Sequence, residues 1–287
     1  MLSSLAGVLF DGFAYGMLLF LLSVGLSVTL GMMNFVNLAH CSFAMVGGYA
    51  TVSLMGKLGW PFLATLPAAF FAGAAVSIAL ERTLYRKLYR ASDLDQCLLT
   101  IGIVFISVAA FAWFYSTEQQ SVRVPDYLQG SVQLGGQSFA AYRLFLIATG
   151  LLILGALVFL VERTRFGAQV RAAVDNQRMA RGLGIDVDRA FMVTFALGGG
   201  LAGLGGALAI QVVGLDPTFA LAYLVYVLIV VAVGGLGSIG GSFAAAAVLG
   251  ISDMAGKYYF PWLGAFLIYL VMVALLMWRP AGLFGKR

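Results

Sequence analysis

Polar side chains that could contact a solute are concentrated in one short segment between two long apolar runs. Asn34, Asn37, His40 and Ser42 lie within nine residues, and His40 is the only histidine in the chain. Amide, imidazole and hydroxyl groups can exchange hydrogen bonds with a solute without adding a fixed charge. Polar groups at membrane depth are tolerated where they face protein or a water-filled cavity. The segment therefore predicts a helix that is broken within the membrane, with its polar turn lining a solute pathway.

A second interpretation of the same residues stays open. Asn34, Asn37 and His40 are spaced three residues apart, so a continuous helix would place them on one face. That face would hydrogen-bond to a neighbouring helix and would serve packing alone.

Five glycines and one serine form a second unusual segment, from Gly234 to Gly241. Each glycine would cost a helix interior about 1 kcal/mol relative to alanine, so the segment predicts a second helix break. Gly235, Gly237 and Ser238 are candidates for the same solute pathway. Close packing of two helices through small residues is the alternative.

The same side chains do not match a known catalytic or metal site. Ser238 and His40 would be the nucleophile and base of an intramembrane hydrolase, but no acidic residue near His40 in the sequence could orient it. The two cysteines have no spacing typical of a metal site or a redox pair. Asp216 and Asp253 fall near predicted external membrane edges, where a solvated carboxylate or a helix cap is expected. We therefore predict no catalytic residue and no metal.

The composition indicates that the chain containing these segments is a membrane protein. Of 287 residues, 62% are hydrophobic and 10% are charged, and the mean hydropathy is +0.98. A soluble chain carries about 25% charged residues, so a soluble enzyme or a nucleic-acid-binding protein is excluded. A helix needs about 20 apolar residues to cross a membrane. Nine such segments lie near residues 13–33, 38–57, 61–80, 97–115, 142–161, 190–213, 219–235, 242–257 and 261–278.

These runs do not alternate between apolar and polar residues as the strands of a membrane barrel would. The sequence therefore predicts an all-α fold, a polytopic helical bundle with about eight or nine transmembrane segments and two broken helices. The number is open because segments 38–57 and 242–257 are short or rich in glycine. We expect residues 1–287 to form a single transmembrane domain.

Basic residues predict the orientation of the bundle. When successive loops are placed on alternate sides of the membrane, 13 of the 17 Lys and Arg residues fall on one side. Lys and Arg are enriched in cytoplasmic loops. The C-terminus and the loop 162–189 are therefore predicted to be cytoplasmic, and the loop 116–141 to be external.

The loop 162–189 carries the longest charged stretch and predicts a docking surface for a partner. A helix over residues 168–181 would have one apolar and one solvated side, and Gly182 and Gly184 would end it. The apolar side would hold Val170, Ala173, Val174 and Ala180. The solvated side would hold Arg171, Asp175, Gln177 and Arg178. A solvated connector with a basic, lipid-facing edge is the alternative.

Several motifs occur in an order that resembles a known family. They are Gly25-Leu26, Asn34, Asn37-Leu38-Ala39-His40, Met45 to Tyr49, Thr100-Ile101-Gly102, Thr164 to Gly167, Arg171-Ala172, Asn176, Gly184-Ile185, Gly234 to Gly241 and Arg279 to Gly285. Over nearly its whole length the chain resembles the permease subunits of bacterial ABC importers for branched-chain amino acids, in particular the first (H-type) of the two paired permeases. Cys41 departs from the family pattern, which usually has glycine after Ala-His.

The resemblance implies an importer of several subunits in the bacterial inner membrane. A second permease, two cytoplasmic ABC ATPases and an external, periplasmic substrate-binding protein would join this chain, which would also contact membrane lipids. A Walker A loop is absent from the sequence, so ATP would be bound and hydrolysed by the partner subunits and this chain would hold no cofactor. The implied function is import of branched-chain or related amino acids by alternating access.

By resemblance, the loop around residues 171–185 is the helix that couples the permease to the ATPases. Its candidate residues are Arg171, Asp175, Asn176, Arg178 and Gly184. Two alternative functions stay open at this point. Importers of the same class carry urea or short amides, and a passive channel or ion-coupled carrier would work without ATPases.

Overall fold

The computed structural model describes residues 2–33, 35–89, 91–134 and 137–285. These residues form twelve α-helices and one β-hairpin, which confirms the predicted all-α polytopic class. The helices are α1 (Leu2–Met33), α2 (His40–Leu58), α3 (Phe62–Thr83), α4 (Asp93–Tyr115), α5 (Asp126–Gln129), α6 (Ala141–Arg163), α7 (Arg165–Asp175), α8 (Gln177–Gly182), α9 (Val187–Val213), α10 (Phe219–Gly234), α11 (Ile239–Tyr259) and α12 (Gly264–Trp278). A short 3₁₀ helix spans Tyr85–Leu88.

Each of the nine predicted spans is helical, because a helix satisfies its backbone hydrogen bonds within one segment where lipid offers no partner. Six helices are long and apolar enough to cross a membrane, judged by length and composition: α1, α3, α4, α6, α9 and α11. α10 and the Phe266–Trp278 part of α12 are shorter apolar helices. Eight or nine crossings would require two or all three of α2, α10 and α12 to cross the membrane as well. None of these three helices is among the six.

Helices α1 and α9 lie at the centre of the bundle, and most of their side chains are buried. α9 contacts α1 where Gly198 faces Gly25, contacts α2 where Gly203 faces Gly47, and contacts α3 through Gly199. A Cβ atom on Gly25 or Gly47 would overlap the backbone of α9. Small residues let membrane helices pack closely, and here they hold three helices around one.

α1 also packs antiparallel against α11. Gly12 lies against Ile251, and the hydroxyls of Ser27 and Ser242 share a hydrogen bond of 2.5 Å nearer the other end of the pair. The end of α1 and the start of α11 therefore lie at the same end of the bundle. This end carries both predicted helix breaks.

Residues 116–134 and 137–140 fold over the other end of the bundle, where α4 ends and α6 begins. The strands β1 (Ser131–Leu134) and β2 (Gln137–Ala140) form an antiparallel hairpin. Backbone hydrogen bonds between Gln120 and Leu215 tie this segment to the turn between α9 and α10. The sequence did not predict the hairpin, because four-residue strands are too short to show a clear alternation.

The residues that follow α12 fold back onto the end of α10. The N–H of Leu283 donates to the carbonyl of Val233 at 2.7 Å, and the N–H of Phe284 donates to the carbonyl of Gly234 at 3.1 Å. Gly235, with a φ of +95°, packs against the backbone of Phe284 and Gly285. The C-terminal segment is therefore attached to the second helix break.

Candidate functional site

The first break separates α1 from α2, as predicted. α1 ends at Met33, residues 35–39 are not helical, and α2 begins at His40. Asn34, a predicted pathway residue, lies outside the described residues. The non-helical residues are buried or half-buried, so their backbone needs hydrogen-bond partners within the protein.

Two side chains of α4 supply those partners. The N–H of Val36 donates to Oε1 of Gln96 at 3.0 Å, and the N–H of Leu38 donates to the hydroxyl of Thr100 at 3.2 Å. An unpaired N–H in such surroundings is costly, so these bonds let the chain leave the helix. Neither residue was among the predicted pathway residues. The available signal was a glutamine and a threonine four residues apart, on one face of an otherwise apolar helix.

Asn37 is buried, and among the described residues only the oxygen of its side-chain amide forms hydrogen bonds. Its Oδ1 atom accepts from the N–H of Ala39 at 3.1 Å and from the hydroxyl of Tyr85 at 3.4 Å. Its Nδ2 group has no hydrogen-bond partner among the described residues. A buried donor without a partner costs about 1–3 kcal/mol, so this amide is available to a group that enters the bundle.

His40 lies deep in the bundle beside α1. Its Nε2 atom is 3.1 Å from the carbonyl oxygen of Leu22, which precedes the end of α1 by eleven residues, or about 16 Å. The hydroxyl of Ser42 lies 2.8 Å from that of Ser107 on α4. Asn37, His40 and Ser42 therefore follow one another along a buried stretch of chain.

This geometry bears on the two interpretations of the polar segment. Residues 35–39 leave the helix, so Asn37 and His40 do not share a helical face. Their side chains still hydrogen-bond to neighbouring parts of the protein, as the packing interpretation requires. A role in the solute pathway stays a prediction.

The second break, between α10 and α11, also forms as predicted. Gly235 and Gly237 have φ angles of +95° and +79°, which favour glycine. The hydroxyl of Ser238 accepts from the N–H of Gly241 at 3.0 Å and caps α11. Gly237 also packs directly against Gly31 in the last turns of α1. The second break therefore touches the helix that leads into the first.

A cavity of about 950 Å³ opens beside the second break. Gly237 and Ser238 line it, together with Glu162 at the end of α6, Arg171 of α7 and Phe284 of the C-terminal segment. The described residues of the first break do not line it. The cavity connects the predicted glycine-rich pathway segment with the predicted docking loop.

The docking loop forms two short helices, so the predicted single helix over residues 168–181 is wrong. Asn176 starts a new helix, because its Oδ1 atom accepts from the N–H of Met179 at 3.0 Å. Thr164 caps α7 in the same way, with the N–H of Gly167 at 3.3 Å. A side chain that caps a helix stabilises a break in the helical backbone before it.

The buried side of the loop is mostly as predicted. Val170, Ala173 and Ala180 are buried against the bundle. Val174 is exposed instead, because consecutive residues of a helix are turned by about 100° and Ala173 already faces inward. Gly184, with a φ of +81°, ends the turn after α8.

The exposed side of the loop combines charged and apolar groups. The predicted coupling residues are all exposed: Arg171, Asp175, Asn176, Arg178 and Gly184. Arg171 also donates to the carbonyl of Val161 and so holds α7 against the end of α6. Met179 and Leu183 are 65% and 79% exposed, and sequence analysis did not single them out. Exposed apolar side chains among charged ones are typical of a protein-binding surface.

Charged residues at the same end attach the loop to the bundle. Asp188, near the start of α9, forms ion pairs with Arg86 and, at 3.0 Å, with Arg181. The hydroxyl of Tyr89 donates to the buried carboxylate of Glu81 at 2.8 Å. Burial is the main cause that raises the pKa of Tyr89 well above its usual value, and the bond to Glu81 raises it further. The hydroxyl therefore stays protonated.

The two aspartates expected at external edges differ from each other. Asp216 accepts from the N–H of Thr218 at 2.7 Å in the turn before α10, so it stabilises that turn and does not itself cap the helix, whose N-cap is Thr218. Asp253 is 1% exposed within α11 and forms an ion pair with Lys257, so the expectation of a solvated carboxylate or a cap is wrong there. Neighbouring helices cover it, which the sequence of α11 does not reveal.

Comparisons with known proteins give consistent results. The family described as "Branched-chain amino acid transport system / permease component" matches residues 8–276. The chain is 28% identical over 283 residues to the probable branched-chain amino acid transport permease protein LivH of Methanocaldococcus jannaschii, covering 94% of this chain and 90% of that protein. It is 26% identical over 299 residues to the high-affinity branched-chain amino acid transport system permease protein LivH of Escherichia coli K12, covering 97% and 94%.

One solved structure has a similar fold. It is a chain of PsaBC from Streptococcus pneumoniae in complex with Fab, with a TM-score of 0.53 and 13% sequence identity. The similarity covers 96% of this chain and 94% of that chain. At this identity the likeness concerns the arrangement of the helices.

Proposed function

Because the chain belongs to the family of branched-chain amino acid transport permease components, we propose that it is the membrane-spanning permease subunit of an ATP-driven importer. The importer carries branched-chain or related amino acids into the cytoplasm by alternating access. The observation that carries this proposal is the family match over residues 8–276.

The permease crosses the bacterial inner membrane eight or nine times, with its C-terminus in the cytoplasm. Six helices with the length and hydropathy of membrane spans support this topology. The distribution of Lys and Arg supports the orientation, because 13 of 17 fall on the side of the loop 162–189. The exposed apolar side chains of α4, among them Phe105, Ile106 and Trp113, face lipid or a partner permease.

The solute passes the two helix breaks. Asn34, Asn37, His40 and Ser42 contribute polar groups from the first break, and Gly235, Gly237 and Ser238 contribute from the second. The unused amide donor of Asn37 supports this assignment, as does the cavity beside Gly237 and Ser238. Few charges are needed along such a path, because specificity resides in the external substrate-binding protein.

One of the two cytoplasmic ABC ATPases docks on the exposed side of α7 and α8. Arg171, Asp175, Asn176, Arg178 and Gly184 form the coupling surface, to which we add Met179 and Leu183. The bond from Arg171 to Val161 and the shared cavity at the second break support transmission of ATPase closure to the pathway. ATP is bound and hydrolysed by these partners, while a second permease and a periplasmic binding protein complete the importer.

The test is purification of this chain in mild detergent from its native membrane, followed by identification of co-purifying proteins. The assembly, returned to lipid vesicles with its binding protein, is then assayed for uptake of L-leucine and of urea. Co-purifying ATPases and ATP-dependent leucine uptake are expected. Uptake of urea alone would contradict the substrate class, and solute movement without ATP or ATPases would contradict the importer.

A further inference from the structure

Asp253 is an ionisable residue in a membrane-spanning helix that the transport pathway described above does not use. It lies 14 residues after the start of α11, about 21 Å from the second break. Its carboxylate is buried between α11 and the neighbouring helices. Charged groups at such positions are costly and generally serve a function, so the groups around Asp253 need an explanation.

The partner of Asp253 is an ammonium group that can be reached from outside the bundle. Nζ of Lys257 lies 2.5 Å from Oδ2 of Asp253, one helical turn away. The side chain of Lys257 is 52% exposed, whereas that of Asp253 is 2% exposed. The same ammonium lies 5.3 Å from the ring centre of Tyr15 on α1, which is within the range of a cation–π interaction.

Further tyrosines lie on the neighbouring helices. Tyr223 and Tyr226 belong to α10, which packs against α11, and their ring centres are 5.8 Å apart. Tyr269 of α12 follows, with its ring centre 6.2 Å from that of Tyr226. Aromatic faces beside a carboxylate are the groups that recognise ammonium ligands in proteins. α11 supplies a carboxylate and α1 an aromatic face to this one ammonium group.

We infer that Asp253 and Tyr15 bind the ammonium group of the transported amino acid, and that Lys257 occupies this site as a tethered competitor between transport events. The inference rests on the proposed function and adds to it the substrate group that is recognised. The lysine ammonium and the α-ammonium of an amino acid carry the same charge and the same three donors. Lys257 can leave the site because its half-exposed side chain reaches solvent.

If the Asp253–Lys257 ion pair is purely structural, the single and double variants should transport differently than they would if Asp253 binds substrate. When one partner of a buried pair is removed, the remaining charge is left uncompensated, but neutral replacement of both partners is often harmless. If Asp253 and Lys257 serve packing alone, the double neutral variant recovers the transport that the single variants lose. If Asp253 binds substrate, the double variant stays impaired.

The test measures uptake of radiolabelled L-leucine by cells that contain the complete transporter. The chain is wild type, Asp253→Asn, Lys257→Met, or the double variant. Asp253→Asn and the double variant are expected to lower uptake about tenfold, as loss of one charge-assisted contact to substrate would. Lys257→Met is expected to keep the maximal rate and to lower the KM about threefold, because the competitor is gone.

Two results would overturn the inference: recovery of uptake in the double variant, or a loss in Lys257→Met as large as that in Asp253→Asn. Immunoblots of the membrane fraction normalise every rate, and Tyr258→Phe, at an exposed neighbouring position, is the matched control. If Asp253→Asn alone fails to accumulate, the double variant carries the test, since it leaves no unpaired charge. If leucine uptake by these cells required neither this chain nor ATP, that result would contradict the proposed function instead.

Discussion

Gly31, near the end of α1, is in backbone contact with Gly237 in the turn between α10 and α11. The contact joins the helix that leads into the first break to the second break. A movement of the glycine-rich turn therefore acts directly on the last turns of α1. No side chain separates the two, so the distance between them cannot shrink further.

Replacing either glycine is expected to destabilise the bundle at this point. The Cβ atom of Gly31→Ala or Gly237→Ala would overlap the facing backbone, and Gly237 also has a φ of +79° that disfavours alanine. Overpacking of this kind costs about 1–3 kcal/mol. Thermal unfolding of the purified chain in detergent measures the effect. Gly240→Ala is the control, because a Cβ atom there meets nothing within 4 Å, and equal midpoints in all three variants would disprove the contact.

Gln96→Leu is expected to loosen the first break. The N–H of Val36 would lose its partner, and a buried donor left unpaired costs about 1–3 kcal/mol. A lower midpoint of thermal unfolding is the expected result. Leu98→Ala, at an exposed position on the same helix, serves as the comparison. A midpoint for Gln96→Leu no lower than that of the control would show that the backbone of the break is satisfied in another way.

Asn37→Leu is expected to slow leucine uptake while leaving the ATPases bound. The substitution removes the free amide donor, and it also removes the acceptor used by Ala39 and Tyr85. Tyr85→Phe removes one of the two acceptor bonds and keeps the amide donor, so it controls for that part of the loss. Slow uptake in Asn37→Leu with normal uptake in Tyr85→Phe is expected. Normal uptake in Asn37→Leu would favour the interpretation that this residue serves packing alone.

Arg178→Glu, combined with Met179→Asp, is expected to release the ATPases. Both side chains are exposed on α8, and the changes place negative charge where we propose that the partner docks. A tenfold loss of co-purifying ATPase corresponds to about 1.4 kcal/mol. Arg123→Glu, in the loop predicted to be external, is the matched charge reversal and should retain the ATPases. Equal retention by both variants would contradict the coupling surface.

The sequence was sufficient to predict the long apolar helices and the two breaks near Asn37 and Gly237. Long apolar runs form helices whatever surrounds them, and the glycines of the segment 234–241 interrupt a helix through their own conformational freedom. Both signals are local, so one sequence carries them. The capping side chain of Asn176 is also a local signal, although it was read as part of one helix.

Contacts between distant parts of the chain could not be predicted in this way. The side chain of Gln96 accepts a hydrogen bond from Val36, which lies sixty residues earlier in the chain. The sequence around either residue gives no sign of this contact. Asp253 was assigned to an external edge because its position along α11 is near the end of the helix. Its burial depends on α1, α10 and α12, whose placement is a property of the packed bundle.

The glycines that α9 uses to contact α1, α2 and α3 have a consequence for the biosynthesis of the chain. α9 begins at Val187, after all three of its partners have been made, and chains emerge from the ribosome N-terminus first. A helix face made of small residues contributes packing energy only when it contacts another helix. The first three helices therefore cannot complete this packing until translation reaches the second half. A ribosome that stalls before α9 would leave an incomplete product for the proteases of membrane quality control.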